Sequence, residues 1–142
     1  MKHFLKKYSH KIGLNYWKFE FCTKYRYKMM RKFKNSNMIK AAILKSCFEN
    51  KIKVHEIEVM PEHIHMMVSL PRGKTEDWAF HKIKGRSSSL IFKNKPVFRN
   101  RYPKGNFWSR GGCAVTVGYT DYNTAKNYIN KQREHHDVAI IY

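Results

Sequence analysis

Acidic residues are scarce in this chain. Ten Asp and Glu stand against 29 Lys and Arg in 142 residues, a net charge of +19. That excess is far beyond what solubility requires. It points to a polyanionic partner, with nucleic acid as the default. A membrane surface fits less well, because no segment reads as a basic amphipathic interfacial helix. Cysteine is also sparse. Cys22, Cys47 and Cys113 lie far apart with no CxxC or Cys–His finger spacing, which speaks against disulfides and a structural zinc and leaves three reduced, partly buried thiols. No apolar run approaches the ~18 residues of a membrane-spanning helix. The basic start "MKHFLKKYSHK" has no long apolar stretch behind it, so no signal peptide is expected and a cytosolic protein is. Four prolines and seven glycines gather into no linker, and there is no repeat or low-complexity tract, so a single domain over 1–142 is expected. Against these absences stands a 15% aromatic content, which argues for a folded core.

The pattern along the chain predicts an α+β fold. "NYWKFEFCTK" alternates, with Trp17, Phe19 and Phe21 on one face and Lys18, Glu20 and Lys24 on the other, as a half-buried strand does. "NSNMIKAAILKSCFEN" has Met38, Ala41, Ala42, Lys45 and Phe48 at helical spacing, with Asn35 or Ser36 as cap. "KIKVHEIEVM" is β-rich, and Pro61 separates it from a second strand that should pair antiparallel with it. Thr75, Glu76 and Asp77 suit the start of a helix running through Ile83 to Ile91. "KPVFRNRYPKGNFWSRGG" reads as loop and "CAVTVG" as a short strand. "TDYNTAKNYINKQREHH" reads as a last helix, capped by Thr120 or Asp121, with Ala125, Tyr128, Ile129 and Gln132 at helical spacing. The first six elements follow the split βαβ order of the ferredoxin-like fold, an antiparallel sheet with helices on one face.

Within this frame "VMPEHIHMMVSL", Val59 to Leu70, raises a chemical question. Side chains alternate along a strand, so Ile64, Met66, Val68 and Leu70 share an apolar face. His63, His65, Met67 and Ser69 share the other. Two imidazoles one residue apart on one face can bind a divalent ion, although exposed strand histidines without a role are common. Two nitrogens under-coordinate an ion, and an oxygen ligand would suit Mg²⁺ or Mn²⁺. On the last helix, Tyr128 and Gln132 are four residues apart and share a face. A tyrosine hydroxyl can attack a phosphodiester, with a metal stabilising the developing charge.

These residues carry a resemblance. The chain resembles the small HUH single-tyrosine transposases of prokaryotic insertion sequences, in which two histidines flank a bulky hydrophobic residue, here His63-Ile64-His65. The likeness runs from "TKYRYK" through "EIEVMPEHIHMMVSLP", "IKGRSSSLIF" and "FWSRGG…VTVG" to "YINKQ", about four-fifths of the chain, in family order. It implies Tyr128 as nucleophile, forming a 5′-phosphotyrosine link and freeing a 3′-hydroxyl. It implies His63, His65 and Gln132 as ligands of Mg²⁺ or Mn²⁺. The expected substrate is single-stranded DNA with imperfect hairpins at the element ends, cut and rejoined by a homodimer in the cytoplasm, associated with the nucleoid when on DNA. One subunit's tyrosine helix can complete the other's histidine site. A domesticated role on dispersed host repeats would use the same chemistry.

Other residues carry less. Tyr119 and Tyr122 suit a turn or cap. Glu62, beside the histidines, reads as a surface carboxylate or a spare ligand, and His55, His81, His135 and His136 lack paired geometry. The run Lys24, Arg26, Lys28, Arg31, Lys32 and Lys34, with Tyr25, Tyr27 and Phe33 interleaved, suits a DNA-backbone patch or a soluble face. Lys84 and Arg86, beside Ser87 to Ser89, form a weaker phosphate-contact candidate. Trp108 reads as packing in the core or a loop. The competing functional classes are a non-catalytic single-strand nucleic-acid-binding module of the same fold, and a hydrolase that would use the histidines to activate water and form no adduct.

Overall fold

The computed structural model of the chain describes residues 15–117. The expected last helix, with Tyr128 and Gln132, lies outside these residues, as do Tyr119, Tyr122, His135, His136 and the basic amino terminus. Strand β1 (Tyr16–Cys22) puts Phe19 and Phe21 inside, as its alternation requires. Helix α1 (Phe33–Glu49) follows, then β2 (Lys53–Val59), β3 (His63–Ser69), helix α2 (Glu76–Asn94) and β4 (Cys113–Thr116). A 3₁₀ turn, Pro96–Asn100, leads from α2 into the long loop before β4. The sheet order is β2-β3-β1-β4 and every neighbouring pair is antiparallel. This is the α+β, split βαβ arrangement that the element order predicts.

Both helices cover one face of the sheet. Phe19, Phe21, Ile64, Met66 and Val68 from the strands pack in one cluster with Ile39 and Ile43 of α1 and Ala79, Ile83 and Ile91 of α2. In α2, Ala79, Ile83, Ser87, Leu90 and Ile91 form one buried stripe, Phe92 is buried off it near the helix end, and Thr75 caps the start by accepting from Trp78 N–H at 3.2 Å. Trp108 belongs to this core. Its indole N–H donates to Ser87 Oγ at 2.8 Å and its ring meets Phe21 edge-on.

Two expectations for α1 are corrected. The helix starts at Phe33 after Lys32, which makes no side-chain cap. Ser36 lies inside the first turns and is buried, and Asn35 also lies within the helix, so neither caps it. The buried stripe is Ile39, Ala42, Ile43, Ser46 and Cys47, so Ala41 and Lys45 face out and Phe48 is 82% exposed. The stripe that starts at Met38 is out of phase by one residue, ~100° of helix. Ser46 enters the core because its hydroxyl donates back to Ala42 O at 2.9 Å. The cysteines also differ from one another. Cys47 is buried, with burial pushing its thiol up to about 12, Cys22 is half-buried and Cys113 is exposed.

Candidate active site

Strand β3 is inside the sheet, between β2 and β1, and both of its faces are covered. Ile64, Met66 and Val68 are fully buried on the helix side. On the other side His65 is 3% exposed and Met67 is inaccessible, so the histidine pair is not a solvated accident. Register fixes the neighbours. Across β1, Cys22 stands opposite His63 and Glu20 opposite His65, and across β2, Glu58 stands opposite His65.

The two imidazoles converge. His63 Nε2 and His65 Nε2 are 2.9 Å apart, with the rings at 80° to each other. Each ring has a carboxylate behind it. Glu62 Oε1 is 2.8 Å from His63 Nδ1, a close hydrogen bond. Glu20 Oε2 is 3.5 Å from His65 Nδ1, an ion-pair distance. A neutral imidazole that donates through Nδ1 has its lone pair on Nε2. At 2.9 Å the two Nε2 atoms can share a proton, one ring donating to the other, or, with both lone pairs turned inward, flank a cation. Nitrogens bound ~2.1 Å from an ion at a right angle are ~3.0 Å apart, against ~3.4 Å at a tetrahedral angle. The donor set therefore fits adjacent positions of an octahedral ion. An oxygen of Glu20 and one nitrogen from each histidine lie within 4.8 Å of one another. Three of the chain's ten acidic residues, Glu20, Glu58 and Glu62, gather at this pair.

Sequence reasoning brought His63 and His65 together but passed over Glu20, and left Glu62 between a surface carboxylate and a spare ligand. The signal for Glu20 was its even position in β1 on the face opposite Phe19 and Phe21. Split βαβ topology puts that face beside β3. His55 also has a partner: its Nε2 is 2.9 Å from Ser69 Oγ and its ring stacks on Tyr16.

The basic run leaves β1 through a clamped turn. Thr23, fully buried, donates through Oγ1 to Tyr27 O at 2.6 Å and through its N–H to Glu62 O at 2.9 Å. Lys24 N–H donates to Phe107 O, and Lys24 O accepts from the Tyr102 hydroxyl at 2.8 Å. Burial pushes the Tyr102 phenol up to about 12, so it stays protonated and donates. Between these anchors Tyr25 and Arg26 both have left-handed backbone, φ 63° and 54°, a conformation that costs an L-residue ~1–2 kcal/mol. Arg26, Lys28, Arg31, Lys32 and Lys34 are exposed, and Lys24 is half-buried. Lys28, Arg31 and Lys32 face Arg101 across a groove of about 490 Å³. Lys84 and Arg86 already have partners. Lys84 Nζ donates to Ser109 O at 3.0 Å and to Gly111 O, tying down the loop before β4, and burial lowers its pKa. Arg86 forms a two-pronged pair with Glu49, at 2.8 and 3.2 Å.

Comparison with known proteins gives the family and the fold. Residues 11–132 match the family described as "Transposase IS200 like". The ISDra2 transposase TnpA of Deinococcus radiodurans is 26% identical over 114 residues, 80% of each chain. The transposase for insertion sequence element IS200 of Salmonella typhimurium is 32% identical over 92 residues, 63% of this chain and 59% of that one. Among solved structures, a crystal structure of a candidate transposase from Deinococcus radiodurans superposes with a TM-score of 0.66 at 21% identity, covering 82% of this chain and 89% of that one. A REP-associated tyrosine transposase bound to a REP hairpin superposes with a TM-score of 0.63 at 20% identity, covering 89% and 70%.

Proposed function

We propose that this chain, which belongs to the IS200-like transposase family, is a metal-dependent enzyme that cleaves and rejoins single-stranded DNA at hairpin-marked element ends. His63 and His65 hold a divalent ion through Nε2, and Gln132 adds an oxygen. Glu62 and Glu20 stand behind the imidazoles and keep the Nε2 lone pairs aimed at the ion. When bound, Mg²⁺ or Mn²⁺ polarises the scissile phosphate and stabilises the charge that develops there. The observation that carries this reading is the 2.9 Å convergence of two imidazole nitrogens, each backed by a carboxylate.

Tyr128 is the nucleophile. Its phenolic oxygen forms a bond to phosphorus, the bond from phosphorus to the 3′-oxygen breaks, and the phenol's proton passes to that oxygen. The products are a 5′-phosphotyrosine and a free 3′-hydroxyl. No water enters, so the reverse attack by a 3′-hydroxyl rejoins DNA and restores Tyr128. Lys24, Arg26, Lys28, Arg31, Lys32 and Lys34 contact the phosphate backbone, which makes binding fall steeply with salt. Lys84 and Arg86 add to that surface only where their internal partners release them. The working unit is one domain, 1–142, acting as a homodimer in the cytoplasm and on the nucleoid when DNA-bound. Among the described residues no helix is long and apolar enough to cross a membrane.

The test is a labelled single-stranded hairpin oligonucleotide incubated with the full chain, with and without Mg²⁺, and run on a denaturing gel. A covalent protein–DNA band that needs the metal is expected, and Tyr128→Phe removes it while hairpin binding stays near wild type. An adduct that survives in Tyr128→Phe, or binding indifferent to EDTA with no adduct at all, refutes the reading.

A further inference from the structure

In the proposed strand cleavage the cations of the strained turn after β1 contact phosphates, but that task needs neither its left-handed backbone nor the Tyr25 ring. Holding Tyr25 and Arg26 left-handed brings neither side chain into the core: Tyr25 is 63% exposed and Arg26 is exposed too. Outlier backbone kept by surrounding hydrogen bonds is a mark of a functional site. Here the anchors are Thr23, Phe107 and Tyr102. The ring held outward is not isolated. It lies 5.4 Å from the Tyr27 ring and is nearly parallel to Tyr102, at 17° and 6.2 Å between centroids.

Beside Tyr25 is a cleft of about 90 Å³, bounded by Tyr102 and Gly105 and lined also by Lys24 and Lys104. Its volume is about three waters' worth, so it admits the edge of a base whose face lies on the exposed Tyr25 ring and is far too small for a duplex. No carboxylate lines it. An aromatic face rimmed by cations is the chemistry that takes an unpaired base and its phosphate. The position fits as well. Tyr25 comes three residues after Cys22, the strand partner of His63, a span of at most ~10 Å of chain.

We propose that this cleft binds one unpaired base of single-stranded DNA, stacked on Tyr25, with the adjoining phosphate held by Lys24, Arg26 and Lys104. The site rests on the DNA-processing reading above and adds a specific nucleotide contact outside the metal centre. It would grip the single strand flanking a hairpin as that strand runs toward the histidines.

The experiment compares two oligonucleotides on the full chain, a blunt hairpin and the same hairpin with a single-stranded flank carrying 2-aminopurine. Tyr25→Asn removes the ring while tolerating left-handed backbone, and Tyr25→Phe keeps the ring. The wild type and Tyr25→Phe are expected to bind the flanked oligonucleotide alike and to quench one 2-aminopurine position. Tyr25→Asn is expected to lose roughly 5- to 150-fold in affinity for it, to lose the quench, and to bind the blunt hairpin unchanged. Equal binding of the flanked oligonucleotide by Tyr25→Asn and wild type overturns the proposal, as does an equal loss on both oligonucleotides. An adduct with wild-type protein alongside an unaffected Tyr25→Asn fails this inference alone. Flank-dependent binding through Tyr25 with no adduct fails the transposase mechanism and leaves the base site standing.

Discussion

Removing the Glu62 carboxylate is a sharp perturbation of the proposed metal site, because on that reading Glu62 orients His63 and does not ligate the ion. Its Oε1 sits 2.8 Å from His63 Nδ1, and the two side chains are only 23% and 18% exposed. The contact fixes which ring nitrogen carries the proton and how the ring is turned. Without it the Nδ1–H tautomer competes with the Nε2–H form, which cannot bind an ion through Nε2, and the ring gains rotational freedom. Loss of such a supporting partner costs 10- to 100-fold in metal affinity, or about 1.4–2.7 kcal/mol. The backbone effect should be small, because Glu62 is anchored through its carbonyl, which accepts from Thr23 N–H and Thr23 Oγ1. We therefore expect Glu62→Ala to bind Mn²⁺ 10- to 100-fold more weakly with little change in melting temperature. Glu62→Gln should fall between, since an amide oxygen still accepts from Nδ1–H but lacks the charge. Calorimetric titration with Mn²⁺, checked by the paramagnetic resonance of free Mn²⁺, measures this without any need for turnover. Glu20→Ala should cost less, because Glu20 stands off at 3.5 Å from His65 and its side chain is 42% exposed. Wild-type Mn²⁺ affinity in Glu62→Ala would refute the reasoning. A larger loss in Glu20→Ala than in Glu62→Ala would also refute it, by making Glu20 a ligand.

Two further outcomes test the fold. Phe19→Ala empties a fully buried position where the ring stacks on Phe80 at 4.5 Å, and it should cost ~3–5 kcal/mol in urea denaturation. Arg86 lowers the pKa of Glu49, chiefly through their hydrogen bond, so Arg86→Met should raise Glu49's titration back toward 4.5, read by carboxyl ¹³C NMR. The depressed carboxylate is the sign of a pair that helps the fold at neutral pH and stops helping as pH falls through the lowered value. An unchanged Glu49 titration in Arg86→Met would show that the pair does not persist in solution.

What could be read in the sequence followed local period, and what could not depended on who meets whom. Alternation at period two correctly sorted Phe19 and Phe21 from Glu20, and Ile64, Met66 and Val68 from His63 and His65. Thr75 was recognisable as a cap because its oxygen serves an N–H only three residues on. Helix α1 was harder, since apolar residues occur nearly all round it. Phe48 and Leu44 look like core residues yet stay exposed, and only contact with α2 and the sheet selects the Ile39–Ile43 stripe. The internal partners of Lys84 were hidden for a similar reason. Its charge suggested phosphate, but loop carbonyls 25 and 27 residues away claim its ammonium group. Glu20 met His65 only through the β1–β3 register, 45 residues apart in sequence.

The placement of the acids adds a last argument for the ion. In a chain of +19, three of ten carboxylates lie beside His63 and His65, Glu62 and Glu20 at their ring nitrogens and Glu58 as the strand partner of His65. On the proposed reading, the lysines and arginines beyond β1 draw a phosphodiester toward a spot that is locally anionic. Bare carboxylates there would repel it, at a distance where partial burial weakens solvent screening. A divalent ion between the imidazoles reverses that local sign, so DNA approach and metal binding become linked. Mn²⁺ affinity should then rise when a hairpin oligonucleotide is bound, by the same factor as oligonucleotide affinity rises with Mn²⁺.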